Sequence, residues 1–381
     1  MKVLYLTMNP NRASTTVPTE GWFKVLRKCG LQPVLVSHTI GDFHDWAVEQ
    51  GIPAYHIPLP FPSKLRPWTF LRSLWRLRRL VRRHKIQLIP CNEQNLYPIG
   101  RYLSRLCGLP VVVSVHFTMD RGFCQWAFGG TQQPDRMFFL SKGSQDACRL
   151  GMAGVLAETQ WRLLANGLDL DRYKPNVSRR VDFRLQRQLS DFVLVGAACA
   201  LRPRKQLEHL IDAVARLSMP NLRLLLAGAA VSGDETYSET LLLSAKAKLG
   251  ERLVYLGHLE DLIGFYNALD LFVNTSKEEA CSISILESLA CGCPVVGYPS
   301  KSVDEQVEPG GGEIVPQDDI QALSAALSRW LSDGERLAAA RLGARKRVED
   351  HYDIEKLAGQ LWDEYQRVLQ ERGQYVDRDV A

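Results

Sequence analysis

Two successive series of short apolar runs constrain the fold of this chain more than any other feature. The first series lies at 3–6, 34–37, 87–89, 111–116, 137–141 and 163–165. The second lies at 192–197, 222–227, 253–256, 271–274, 294–297 and 313–315. Both are rich in Val, Leu and Ile and do not alternate with polar residues, as expected of strands buried on both faces of a parallel sheet. Intervening segments such as 206–217 (QLEHLIDAVARL) space their apolar residues as helices do. Two βαβ series in succession predict an α/β protein of two doubly wound, Rossmann-like domains. Open sheets of this kind bind ligands beyond the carboxyl ends of their strands. Two of them facing each other would hold substrates in a cleft.

The length of 381 residues is comfortable for two such domains. The boundary is expected in the polar stretch 170–190, giving an N-terminal domain at 1–175 and a C-terminal domain at 186–352. An amphipathic helix at 354–370 carries Leu357, Leu361, Trp362, Tyr365 and Leu369 on one face. The extension 353–381 is expected to pack back on the N-terminal domain.

No apolar run approaches the ~18–20 residues that span a bilayer. The opening MKVLYLTMNP lacks the features of a signal peptide. Nine cysteines stand at irregular spacing, as free thiols in a reducing compartment would. These features lead us to expect a cytoplasmic protein. Cys291 and Cys293 have no second ligand pair at zinc-site spacing and are read as packing residues.

The segment 274–294, NTSKEEACSISILESLACGCP, carries the candidate chemistry. A strand ends near Asn274, a polar loop follows, and a helix is expected over 283–291, stopped by Gly292 and Pro294. Glu279 lies in the loop and Glu287 about one turn inside the helix. The amides of Ile283, Ser284 and Ile285 fall at the helix N-terminus, where free N–H groups and the dipole suit a diphosphate. Carboxylates on either side accept hydrogen bonds from sugar hydroxyls. The same residues also read as a capping box, with Ser284 as N-cap and Glu287 at N3. Taken alone, they leave both readings open.

The spacing Glu279-x7-Glu287 followed by SLACGCPVV resembles the hallmark of the family 4 retaining glycosyltransferases of GT-B fold (glycosyl transferases group 1). Other pieces agree in order along roughly residues 1–350. VVVSVH resembles the family strand that ends in a functional His, here His116. ANGLDLDRYKP resembles its NGxD-xxx-F-x-P segment through Asn166, Gly167, Asp169, Tyr173 and Pro175. LRPRKQLEHLIDA resembles its L-x-P-x-K helix entry, and LVYLGHLEDLIGFYNALDLFVNTS the stretch leading into the glutamates. Where the family usually carries Gly, Phe and Gly, this chain has Ala280, Cys281 and Ser282, which narrows the backbone angles open to the loop. The family's Arg five residues before the Lys is Ala200 here, and Arg202 is expected to supply that charge.

The resemblance implies a hexosyltransferase that moves a sugar from a UDP- or GDP-type donor to a glycan or lipid-linked acceptor, in polysaccharide or glycolipid biosynthesis. Glu279 would face the donor sugar and Glu287 the ribose, with Ser282, Ile283 and Ser284 on the diphosphate. Arg202 and Lys205 would neutralise the departing diphosphate, work otherwise done by a metal. His116 would contact the donor sugar or the acceptor, and His116 and Glu279 form the candidate catalytic pair. Neither a metal nor a cofactor is expected, and Asp169-Leu170-Asp171 is read as loop chemistry. The alternatives are a nucleotide-sugar-binding protein without turnover and a sugar-nucleotide epimerase.

Charge adds a further expectation. Lys and Arg outnumber Asp and Glu by 21 to 10 over residues 1–170, and are outnumbered 26 to 32 thereafter. Residues 64–85, KLRPWTFLRSLWRLRRLVRRHK, hold nine Lys or Arg and no acid, interleaved with Trp68, Phe70, Leu71, Leu74 and Trp75. That is the make-up of a helix lying on an anionic membrane, here its inner face. A surface helix packed on the sheet is the plainer reading. No nucleic-acid module accompanies it.

Overall fold

The computed structural model describes residues 1–11, 15–63 and 65–373. The chain forms two compact units, Met1–Gly167 with the chain from Ile354 onward, and Leu168–Asp353. The first is built on seven strands: β1 (Lys2–Thr7), β2 (Gln32–Ser37), β3 (Ala54–His56), β4 (Ile89–Cys91), β5 (Val111–Val115), β6 (Arg136–Phe139) and β7 (Trp161–Leu163). Their order is β3-β2-β1-β4-β5-β6-β7, all parallel. The second has six: β8 (Val193–Ala198), β9 (Leu222–Ala227), β10 (Leu253–Gly257), β11 (Leu271–Asn274), β12 (Val295–Gly297) and β13 (Gly312–Ile314). Their order, β10-β9-β8-β11-β12-β13, is likewise parallel.

In each sheet the order reverses once, between β1 and β4 and between β8 and β11. A crevice at the carboxyl ends of the strands belongs there. β3 is absent from the apolar series because AYH is a three-residue edge strand, half exposed and flanked by prolines. β4 and β7 lie two residues from where the apolar runs put them, because a run marks buried side chains rather than ladder hydrogen bonds.

Strand side chains alternate between two cores in the first unit. Leu4 and Leu6 face one, and Val3 and Tyr5 the other. Helix α1 (Val17–Lys28) packs on the second core, and helix α2 (Pro67–His84) on the first. In the second unit, helix α3 (Ile283–Ala290) follows β11. Helix α4 (Ile354–Glu371) lays Ile354, Leu357, Leu361 and Tyr365 against α1. The approach is tight at Gly21, where a Cβ would stand 2.3 Å from Ile354 Cδ1. Buried Arg136 donates to Glu364 at 2.9 Å, and Arg162 joins at 3.2 Å, tying α4 to β6 and β7. Burial works against the Glu364 charge, but these guanidinium groups hold its carboxyl below the ordinary value.

Candidate active site

The switch point of the second sheet gathers most of the expected residues. After β8 the chain makes a single 3-10 turn at Pro203–Lys205. It turns sharply through Gln206, at φ 47, into the helix Leu207–Ala215. After β11 it runs through 275–282 into α3. The two segments are stitched together. Thr275 Oγ1 donates to the Lys205 carbonyl at 2.8 Å, and the Lys277 amide to the Arg204 carbonyl at 2.9 Å. The Lys205 ammonium is paired with the Glu279 carboxylate, and both side chains are about nine-tenths buried. The Glu279 amide donates to Ser300 Oγ at 2.6 Å, and Ser302 Oγ donates to the Glu279 carbonyl at 3.2 Å.

Gln306 holds the end of this loop, at Cys281 and Ser282. Its Oε1 accepts from the Ser282 amide at 3.0 Å and its Nε2 donates to the Ser282 carbonyl at 2.9 Å. That amide-to-backbone pair fixes the loop as a strand neighbour would. None of Ala280, Cys281 and Ser282 takes a left-handed backbone angle. The missing glycines therefore impose no strain, and Cys281 packs into the interior instead.

Ser282 is the N-cap of α3, two residues earlier than the capping-box reading requires, and its side chain makes no capping bond. Ser284 is thus inside the helix, its Oγ 3.2 Å from Ser282 Oγ. The first-turn amides of Ile283, Ser284 and Ile285 have no helical acceptor, as at any helix start. Glu287 turns away from them. It is buried, and Tyr266 donates its phenol hydrogen to Oε2 at 2.8 Å. Tyr173 gives a second such bond. Burial raises the Glu287 carboxyl above its ordinary value, and the two phenols work against that rise.

Arg202 stands apart from the buried pair: its Nε contacts Asp234 at 3.2 Å. Asp169 accepts from the amides of Asp171 and Arg172 at 3.1 and 3.0 Å, the local turn chemistry of an Asx residue. His116 follows β5 in the first unit. Its amide donates to Gln94 Oε1 at 3.0 Å, while its buried Nε2 has no partner. Burial pushes the imidazole down to about 4, against the smaller opposing effect of a hydrogen bond the ring donates to the Asn92 backbone carbonyl. It lines a cavity of about 40 Å3 with Tyr5, Thr19, Asn92 and Asn166.

The sequence reading missed several of these partners. Asn92, Glu93 and Gln94 follow β4, where the reading ended the strand two residues early. Glu93 is buried and accepts from Thr7 Oγ1 at 3.0 Å, the Met8 amide at 3.0 Å and Asn92 Nδ2 at 3.1 Å. The polar run CNEQN directly after apolar QLIP was the available signal. Gln306 and Tyr266 left no comparable trace.

Residues 185–347 match the family model described as "Glycosyl transferases group 1", and residues 17–167 match "Glycosyl transferase 4-like domain". The chain belongs to the group 1 glycosyl transferases. Among its relatives in this family is the "Lipopolysaccharide core biosynthesis mannosyltransferase LpsB" of Rhizobium meliloti, 27% identical over 54% of this chain and 61% of that protein. A "GDP-mannose-dependent monoacylated alpha-(1-6)-phosphatidylinositol monomannoside mannosyltransferase" of Corynebacterium glutamicum is 29% identical over 52% of this chain and 54% of its own length. The chain thus spans less than two thirds of both. Among solved structures, Anabaena HepE in complex with UDP has a TM-score of 0.86 at 22% identity, over 96% of this chain and 100% of that one. The two sheets are those of the GT-B fold of this family.

Proposed function

We propose that this group 1 glycosyl transferase moves a hexose from a UDP- or GDP-sugar to a glycan or lipid-linked acceptor, with retention and without a metal. The observation that carries the reading is the buried Lys205–Glu279 pair at a topological switch point, one short loop from the free amides of α3. Lys205 and the amides of Ile283 and Ser284 hold the diphosphate, where charge develops as the glycosidic C1–O bond breaks. Arg202 joins them on leaving Asp234. Glu279, released from Lys205 by the diphosphate, accepts from the sugar hydroxyls. Glu287, oriented by Tyr173 and Tyr266, accepts from the ribose.

The acceptor hydroxyl attacks C1 on the face from which the diphosphate leaves. Its proton passes to the departing phosphate oxygen, so no side-chain base is required. His116, neutral at physiological pH, serves as a hydrogen-bond group to the sugar or acceptor. The names of the relatives, a lipopolysaccharide core and a phosphatidylinositol mannoside mannosyltransferase, support a lipid-linked acceptor.

The same reading puts the chain at the inner face of a membrane. None of the described helices is long and apolar enough to cross one. On α2, however, Trp68 is 78% exposed and Trp75 59%, with Arg72, Arg76 and Arg79 exposed around them. Flotation with anionic vesicles, lost in Trp68→Ala/Trp75→Ala, supports this contact; no binding at low salt removes it.

A thermal-shift screen against UDP-, GDP- and ADP-sugars tests the donor, followed by NMR of the product's anomeric centre. Stabilisation by one donor with an inverted product would refute retention. Stabilisation without any product would leave a binding protein.

A further inference from the structure

A recess of about 400 Å3 opens at the amino ends of β1, β2 and β3, where Lys2, Gln32 and Pro53 stand. It lies at the opposite edge of the first sheet from Thr7, Asn92 and His116, which stand at or just beyond the carboxyl ends of their strands. Its walls carry Lys2, Arg27, Arg83, His84 and Lys85, and no Asp or Glu lines it. Crowded cations ordinarily recruit carboxylates. Among the described residues, Lys2, Arg27, Arg83 and Lys85 form no ion pair, although the neighbouring Lys28 pairs with Glu355 at 3.1 Å. Arg27 gives one N–H to the Gln50 carbonyl at 2.9 Å, and His84 Nε2 lies 2.8 Å from the Tyr55 hydroxyl. The remaining donors of four permanent cations are uncommitted.

Helix dipoles account for only part of this. α1 and α2 both end here, and each C-terminus attracts one cation with a charge of roughly −0.5. The end of α2 is already closed by the Lys85 and Ile86 amides on the Arg82 and Val81 carbonyls. Lys85 itself stands at φ 53, a left-handed position where glycine is the usual residue. The chain thus keeps a cation where the backbone favours none. His84 reports the resulting potential: burial first, then Arg83 and Lys2, lower its affinity for a proton.

We propose that this recess binds a phosphate group, as a mono- or diester, held by Lys2, Arg27, Arg83 and Lys85. Tetrahedral oxyanions match several convergent N–H donors, and the guanidinium groups can bind them in pairs. The phosphate comes from a soluble ester or from the headgroup of an anionic lipid. The exposed basic face of α2 runs directly into the recess and makes the second source available. The proposal does not depend on the donor site.

The test titrates the full chain with inorganic phosphate and with glycerol 3-phosphate at low ionic strength. It follows binding by calorimetry and the His84 ring by NMR. Saturable binding that moves the His84 signal is expected. It should weaken at least about tenfold in Lys2→Gln/Arg83→Gln and persist in Lys205→Ala. Phosphatidylglycerol vesicles separate the two sources. Vesicle binding that falls in the double variant and is competed by glycerol 3-phosphate assigns a headgroup; vesicle binding that is unchanged assigns a soluble ester. Binding lost in Lys205→Ala but kept in the double variant belongs to the donor site and overturns the proposal. So does a His84 signal that no phosphate moves, in a chain whose variant floats with vesicles like the parent.

Discussion

Lys205 and Glu279 neutralise each other in a nearly dry pocket between the turn after β8 and the loop after β11. Removing one partner strands the other charge, whereas removing both does not. Lys205→Ala should therefore cost about 3–5 kcal/mol of unfolding free energy. Lys205→Met/Glu279→Leu should recover most of that. Chemical denaturation of the three proteins measures it. Sugar transfer should fall by about 10²–10³-fold in the single variant and should not return in the double one. A double variant that regains stability and activity together would mean that the pair is only structural.

The loop after β11 is set by Gln306 rather than by glycine. Gln306→Ala removes both bonds to Ser282 and should cost about 1–3 kcal/mol, with a several-fold rise in KM for the donor. Ala280→Gly should not raise activity, since no left-handed angle is relieved at that position. It should lower stability by about 0.5–1 kcal/mol through backbone entropy. Donor-dependent thermal shift and steady-state kinetics on both variants check this.

How much of this was legible in the sequence follows from what each signal measures. Non-alternating apolar runs report burial on two faces, so they revealed both sheets and their parallel character. They could not reveal β3, whose three residues are barely buried, and they displaced β4. Glu279, Lys205 and the start of α3 were legible because each is bound to a chain position: the end of a strand or the first turn of a helix. Their mutual pairing was not, because β8 and β11 are brought together only by the strand order. Tyr266 and Gln306 were invisible for the same reason. Each meets its partner across a contact 21 to 24 residues apart, with no local pattern to mark it.

Glu287 should make stability depend on pH. Its carboxyl is raised by burial, so the folded state prefers it protonated. That contribution is fully present below the unfolded value and is lost as pH rises through the raised folded value. Glu287→Gln should remove this slope. Tyr173→Phe and Tyr266→Phe each delete a phenol bond to the charged form. Each should extend the slope to higher pH and cost about 1.5–3 kcal/mol near neutrality. Urea denaturation at a series of pH values reads all four proteins. A slope in Glu287→Gln equal to that of the parent would assign the effect elsewhere, with buried Glu93, raised in the same sense, the next group to test.

His116 bears on both acid stability and catalysis. Its imidazole is held down to about 4, so the ring is neutral throughout the physiological range. A depressed folded value contributes stability that is present above the unfolded value, about 6.5, and is lost as pH falls through the folded one. His116→Phe should therefore be less acid-labile between about pH 6.5 and 4. If the ring serves only as a hydrogen-bond group, His116→Asn should lower kcat by about 10–100-fold. The shape of the pH–rate profile between pH 6 and 8 should not change. An inflection near neutrality that disappears in the variant would instead make His116 a proton carrier, with its Nε2, unpartnered here, as the atom that titrates.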